Sequence, residues 1–182
     1  MDGGGMFTNQ HLSGVRGSTA SKSESGYKDG SPDGNPASMA HTYATNFIHC
    51  IFSTKERRPL IPPDRMSGLY AYLGGIAQGE GFCLIAAGGT ANHVHLLITL
   101  PSKLPLATAV QKFKGSSSHW MGPEFSWQEG YGAFSVSPSQ VPVVKRYLQN
   151  QEIHHRKQPF EEELTTFLHN CGIEYDDRYV FG

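Results

Sequence analysis

The run Asn92-His93-Val94-His95-Leu96-Leu97-Ile98-Thr99-Leu100 constrains the fold of this chain more than any other stretch. It reads as a buried strand. Side chains alternate across a strand, so His93 and His95 share one face while Val94 and Leu96 enter the opposite layer. Two imidazoles side by side are either a satisfied strand pair or two ligands of a metal ion.

The neighbouring segments supply a sheet for this strand. His41 to Phe52 is rich in Thr, Tyr, Phe and Ile with partial alternation, which predicts a strand ending at the turn Ser53-Thr54-Lys55-Glu56-Arg57-Arg58-Pro59. After Pro62-Pro63, Asp64 is a candidate cap. Met66, Leu69, Leu73, Ile76 and Ala77 then recur at helical spacing as far as Gln78, weakened by Gly74 and Gly75. Phe82 to Ala87 is a short apolar strand, and Gly88-Gly89-Thr90-Ala91 turns it back into the His93 strand as a hairpin. Pro101 and Pro105 open a second helix, striped by Leu106, Val110, Phe113, Ser117 and Trp120. Trp127 to Val136 predicts a fourth strand in which Gly130 and Gly132 mark a bulge or a close backbone approach. The order βαββαβ is the ferredoxin-like, split βαβ pattern: an α+β fold with an antiparallel sheet and helices on one face.

Two helices follow. One runs from Ser139 to Lys157, accepts Pro142 in its first turn and carries Val144, Tyr147, Leu148 and Gln151; the other starts at Phe160, uses Leu164, Phe167 and Leu168, and closes at Gly172. Tyr147 and Gln151, four residues apart, share a helical face, with His154 and His155 just beyond. Those two histidines would border a metal or sit in solvent, and solvent is the default reading.

A chain of 182 residues suits one ordinary core. Its hydrophobic content of 38% is low, and the deficit sits in residues 1–38, dominated by Gly, Ser, Asp, Asn and Lys. That leader is read as a disordered arm or an expression appendage, and residues 39–182 as the single domain. No stretch approaches the roughly 20 apolar residues of a membrane span, so a soluble, cytoplasmic protein is expected. Cys50, Cys83 and Cys171 are widely spaced, which predicts buried reduced thiols rather than a disulfide framework or a zinc site. The net charge of −1 argues mildly against a strong duplex-DNA binder. Basic residues nevertheless cluster at Lys55, Arg57 and Arg58, at Lys112 and Lys114, at Lys145 and Arg146, and at Arg156 and Lys157.

The combination of His93-Val94-His95 on a strand with Tyr147-Leu148-Gln149-Asn150-Gln151-Glu152 and His154-His155-Arg156 on a later helix resembles the single-tyrosine HUH transposases of the insertion-sequence 200/605 type, REP-associated tyrosine transposases included. HUH means His-hydrophobic-His. The resemblance runs from about His41 to Gly182, taking in Phe52-Ser53-Thr54-Lys55, the segment from Trp127 to Phe134, and Asp177-Arg178-Tyr179. It implies a metal-dependent endonuclease and strand transferase that acts on single-stranded DNA at hairpin-forming element ends. Tyr147 would be the nucleophile and form a 5′-phosphotyrosyl intermediate; His93, His95 and Gln151 would hold Mg²⁺ or Mn²⁺. It further implies a homodimer with composite sites, Tyr147 coming from the partner subunit.

Lys112, Lys114, Ser116, Arg146, Arg156 and Lys157 are the candidate phosphate contacts, and Trp120, Trp127, Tyr131 and Phe134 could include base-stacking platforms or belong to the core. Two other readings share the fold. A noncatalytic single-strand binding module would ignore chelator and Tyr147, and a phosphodiesterase using water would cleave without a covalent intermediate.

Overall fold

In the computed structural model, which describes residues 43–151, 155 and 159–176, the His93 run becomes an inner strand of a four-stranded antiparallel sheet. The elements are β1 (Phe47–Ser53), α1 (Pro63–Gly79), β2 (Cys83–Thr90), β3 (His93–Thr99), α2 (Leu106–Met121), β4 (Gly132–Val136), α3 (Val141–Gln149) and α4 (Phe160–Asn170), with short 3₁₀ turns at Lys55–Arg57 and Pro138–Gln140. The strand order β2-β3-β1-β4 is that of the ferredoxin-like fold, as the βαββαβ pattern predicts. All the described residues lie within one compact unit, Thr42–Gly182.

The register decides which side chains meet. Ile51 pairs with His95, Ser53 with His93, and Phe134 with His49, so these residues share one face of the sheet. Cys50, Phe52, Val94, Leu96 and Ile98 take the other face. There they pack with Leu69, Leu73 and Ala77 of α1 and Ala109, Val110 and Phe113 of α2 to form the main core. Each fully buried Leu, Ile or Phe in that layer contributes about 1.5–3 kcal/mol. Ser117 is the polar intruder, and it is satisfied: its hydroxyl donates to Phe113 O and accepts from Trp127 Nε1 at 2.9 Å. The histidine face is covered instead by α3 and α4, with Ile51, Phe134, Phe160 and Leu168 forming a second, smaller cluster. Helices therefore lie on both faces, two on each.

Local chemistry moved several boundaries. β1 starts at Phe47, with residues 43–46 outside any strand. Pro62 rather than Asp64 is the N-cap of α1, because proline at the first helical position, Pro63, already fits the helical φ and leaves no amide to cap. β2 runs through both glycines to Thr90, which leaves Ala91-Asn92 as a two-residue turn. The Trp127 segment divides: Trp127 makes an isolated bridge to Thr54, Gly130 turns the chain at φ +74°, and β4 starts only at Gly132. Of the three free cysteines only Cys50 is buried, and burial pushes its thiol up to about 12; Cys83 and Cys171 are exposed, contrary to expectation.

Gly88 sets the distance between β2 and α3. A Cβ there would lie 1.9 Å from Leu148 O and 3.1 Å from Gln151 Cγ, and the nearer contact is backbone that no rotamer change relieves. Gly88→Ala is therefore expected to push the end of α3 off the sheet, lowering the urea midpoint by the equivalent of about 1–3 kcal/mol. An unchanged midpoint would show that α3 is not held there.

Candidate metal centre and tyrosine site

His93 and His95 are fully buried, and both direct Nε2 into the same space. The other ring nitrogen of each is tied to the sheet. His93 Nδ1 lies 2.7 Å from Asn92 Oδ1 and 3.1 Å from Thr90 Oγ1, while His95 Nδ1 lies 3.0 Å from Nε2 of buried His49. Asn92 is itself held, since its side-chain oxygen accepts from Thr90 Oγ1 at 2.9 Å and its carbonyl accepts from Thr54 N at 2.8 Å. With Nδ1 donating to the asparagine oxygen, His93 keeps its Nε2 lone pair for the cluster, which is how a metal-ligating histidine is usually oriented.

The space between the two Nε2 atoms is filled from α4 and from the segment after α3. Glu163 Oε2 lies 3.2 Å from His95 Nε2 and 3.0 Å from His155 Nε2, and His155 Nε2 lies 2.9 Å from His93 Nε2. Donor atoms of His93, His95, His155 and Glu163 all fall within 4.8 Å of one another. Gln151 is 1% exposed, donates from Nε2 to Glu163 Oε1 at 3.3 Å, and has a buried Oε1 without a hydrogen-bond partner. Imidazoles, a carboxyl group and an orphaned amide oxygen converging in a buried pocket fit a divalent cation, which would satisfy all of them at once.

Burial sets the protonation of these groups. It depresses His93 strongly, with the neighbouring His95 and His155 adding to the effect and the nearby Gln151 amide opposing it, and it lowers His49 to about 3. Burial raises the Glu163 carboxyl to about 8. In metal-free protein the consequences for stability oppose each other. From about pH 4.5 to 6.5 the unfolded chain protonates His49 and His93 while the folded chain does not, and these two outnumber the single extra proton on folded Glu163, so stability rises with pH. Above 6.5, of these three groups only folded Glu163 retains its proton, up to about 8, so their joint contribution to stability falls. Thermal melts in chelator should peak near pH 6.5; a monotonic trend from pH 5 to 8.5 would contradict these assignments.

Tyr147 belongs to α3, half-buried at the edge of this pocket. Its ring sits 5.9 Å from that of His95, 6.2 Å from His49 and 6.1 Å from Phe167, measured between centroids. The helix predicted through to Lys157 is interrupted at Asn150 (φ −108°, ψ 17°), whose side chain turns back to donate to Arg146 O at 2.9 Å. Tyr147 and Gln151 consequently do not sit on one continuous helical face, although both reach the cluster. Within one chain, Tyr147 stands beside His95.

His155 lines the cluster rather than facing solvent, and His49 and Glu163 join it without having been anticipated. Alternation along β1 could have exposed His49. Glu163 was masked by the acidic run Glu161-Glu162-Glu163, which reads as a solvated face until helix phase separates its members. Among the candidate phosphate contacts, Lys112 pairs with Glu80 at 2.9 Å, Lys114 donates to Gln128 O and Gly130 O at 2.6 and 2.7 Å, and Arg146 is exposed on α3. Arg156, Lys157, His154 and residues 177–182 lie outside the described residues. Trp127 and Phe134 are buried, Trp120 is stacked on Tyr72 beneath Arg65, and Tyr131 is exposed.

Fold and site together define an α+β protein in which a ferredoxin-like sheet presents a buried histidine cluster to a tyrosine-bearing helix. Residues 42–151 match the family model described as "Transposase IS200 like", and the chain belongs to that family of transposases, whose activity is DNA transposition. It is 22% identical over 129 residues to the transposases for insertion sequence element IS200 of Salmonella typhimurium and Salmonella typhi, covering 65% of this chain and 84% of each relative. Two solved structures share the fold. One is a protein from Deinococcus radiodurans R1 assigned as a transposase (TM-score 0.50, 24% identity, 62% of this chain and 94% of that one). The other is a REP-associated tyrosine transposase bound to a REP hairpin (TM-score 0.52, 15% identity, 63% and 72%). Among the described residues no helix is long and apolar enough to cross a membrane.

Proposed function

We propose that this transposase cleaves and rejoins single-stranded DNA at insertion-element ends through Tyr147. The reading rests above all on one observation: the Tyr147 ring lies 5.9 Å from the ring of His95, beside the only cluster of metal-ligating side chains found among the described residues. The Tyr147 phenolic oxygen forms a bond to the scissile phosphorus as the bond to the 3′ oxygen breaks, and the phenol proton ends on the departing 3′-hydroxyl. The phosphodiester energy is kept in the 5′-phosphotyrosyl link, so attack by a 3′-hydroxyl rejoins the strand without a nucleotide cofactor. His93 and His95, with Gln151 as the third donor named by the resemblance, would hold a divalent ion, Mg²⁺ or Mn²⁺, which would supply charge neutralisation on the phosphate.

The chain's own residues do the positioning. Phe167 and His49 pack the phenol ring, and His49 also fixes the tautomer of His95. A phenol titrates near 10 in water, so attack near neutrality needs local positive charge, to which exposed Arg146 on the same helix contributes along with the ion. Arg146, with Lys112, Lys114, Arg156 and Lys157, is assigned to the DNA backbone. Hairpin-forming ends are the proposed partner, in keeping with the hairpin bound by the REP-associated relative. A homodimer with composite sites, Tyr147 of one chain serving the histidines of its partner, is the proposed assembly. The single domain, 39–182, would act in the cytoplasm.

The test is a covalent adduct. Protein mixed with a hairpin-ended single-stranded oligonucleotide and Mn²⁺ should give a species stable to denaturing electrophoresis, and excess chelator should reduce its yield at least about 100-fold. Cleavage without an adduct would favour water as the nucleophile. Binding with no cleavage under any metal would favour a noncatalytic module.

A further inference from the structure

We infer that the cleft between β1, α4 and the segment leading into β4 is a nucleobase pocket, selective for guanine, that reads an unpaired base of the DNA close to the scissile phosphate. This rests on the single-stranded DNA reading above and supplies it with a source of sequence preference.

The cleft encloses about 270 Å³, small for a ligand site and suited to one base rather than to a larger molecule. It adjoins the histidine cluster through two shared walls. Ser53 lines it and pairs with His93 in the register of β1 and β3, and Phe160 lines it while its ring stacks on that of His93 at 4.4 Å between centroids. The rest of the buried lining is apolar, from Ile51, Leu164 and Leu168. Tyr131 and Tyr175, each 42% exposed, complete it on the solvent side. Exposed aromatic rings beside an apolar slot form a stacking platform for a base.

The polar groups of the cleft decide which base it takes. Gln128 is fixed at three points: its backbone N–H donates to Ser53 O at 2.9 Å, its carbonyl accepts from Lys114 Nζ at 2.6 Å, and its side-chain Oε1 accepts from Glu56 N at 2.9 Å. With the oxygen taken, the NH₂ is the end that a ligand meets. The paired donor and acceptor by which glutamine reads adenine is therefore closed. Arg57 adds donors alone, and its placement is enforced: Glu56 and Arg57 are both held at left-handed φ, 56° and 55°, and Glu161 anchors the guanidinium at 3.0 Å. Strain of this kind in non-glycine residues collects at ligand-binding positions. Guanine answers the donors with adjacent acceptors, O6 and N7, and offers its own N–H groups to a carboxylate such as Glu129, which also lines the cleft. Lys114, which holds Gln128 O and Gly130 O, is a positioning residue for this wall.

The experiment is fluorescence anisotropy of the full chain, in chelator to prevent cleavage, with labelled hairpin oligonucleotides whose single-stranded flanks carry G, A, C or T at one position and a random mixture elsewhere. Moving that position along both flanks should find one at which G binds at least about tenfold more tightly than each other base. Arg57→Ala should level the bases to within about threefold, and Arg57→Lys, which keeps the charge but not the planar fork, should level them too. Tyr131→Ala should weaken binding of every base by about tenfold and keep their order, since stacking is indifferent to base identity. No preference at any position, a preference for another base, or a G preference that survives in both Arg57 variants overturns the proposal. Binding in chelator needs neither the ion nor attack by Tyr147, so these outcomes are separate from those of the adduct assay. Loss of all oligonucleotide binding by wild type would remove the DNA reading and the pocket with it, whereas binding without base preference removes the pocket alone.

Discussion

Tyr147→Phe should lower the rate of adduct formation by a factor on the order of 10⁴ or more while leaving the thermal midpoint nearly unchanged. The ring contacts that help seat this side chain, to His95 at 5.9 Å, His49 at 6.2 Å and Phe167 at 6.1 Å, are ones phenylalanine preserves. Only the hydroxyl is lost, and with it the atom that would bond to phosphorus. Denaturing electrophoresis of labelled oligonucleotide measures the adduct, and binding to uncleaved DNA should change by less than about threefold, because uniform binding does not depend on the nucleophile. An adduct that persists in the phenylalanine variant would assign the attack to another residue.

His95→Ala should act on rate and stability together. The imidazole is fully buried between His49, 3.0 Å from its Nδ1, and Glu163, 3.2 Å from its Nε2. Removing it takes away a proposed ligand and leaves His49 Nε2 facing a cavity, which costs about 1–3 kcal/mol of stability through the lost partner. The expected fall in adduct rate is on the order of 10³. The two effects separate by temperature: well below the midpoint the folded fraction is near unity, so a rate loss that remains there belongs to the site. A rate that recovers fully once the variant is folded would make His95 a structural residue.

The histidine strand illustrates what pattern alone can carry. Alternation placed His93 and His95 on one face and Val94 and Leu96 in the core, and the register bears this out because β3 is an inner strand covered on both sides. Helix periodicity likewise located α1, α2 and α4 to within a few residues, since each has one apolar stripe against one sheet face. Continuity of α3 beyond Asn150 was not legible, because no proline or glycine marks the break; it arises where the Asn150 side chain returns to Arg146 O. The wider cluster was hidden for a different reason. His49, His155 and Glu163 come from β1, from beyond α3 and from α4, and only the packing of α4 over the sheet brings them to β3. Lys114 shows what charge alone leaves out, as its ammonium also donates to two backbone carbonyls, Gln128 O and Gly130 O.

A hairpin loop is ordinarily the place where a protein can gain or lose residues at little cost. The Ala91-Asn92 turn has no such freedom, because one asparagine joins the strands, accepts from Thr54 across the sheet and orients His93. An insertion of even one residue there would misdirect an imidazole, so grafted sequence and changes of length must be accommodated at other loops of the domain.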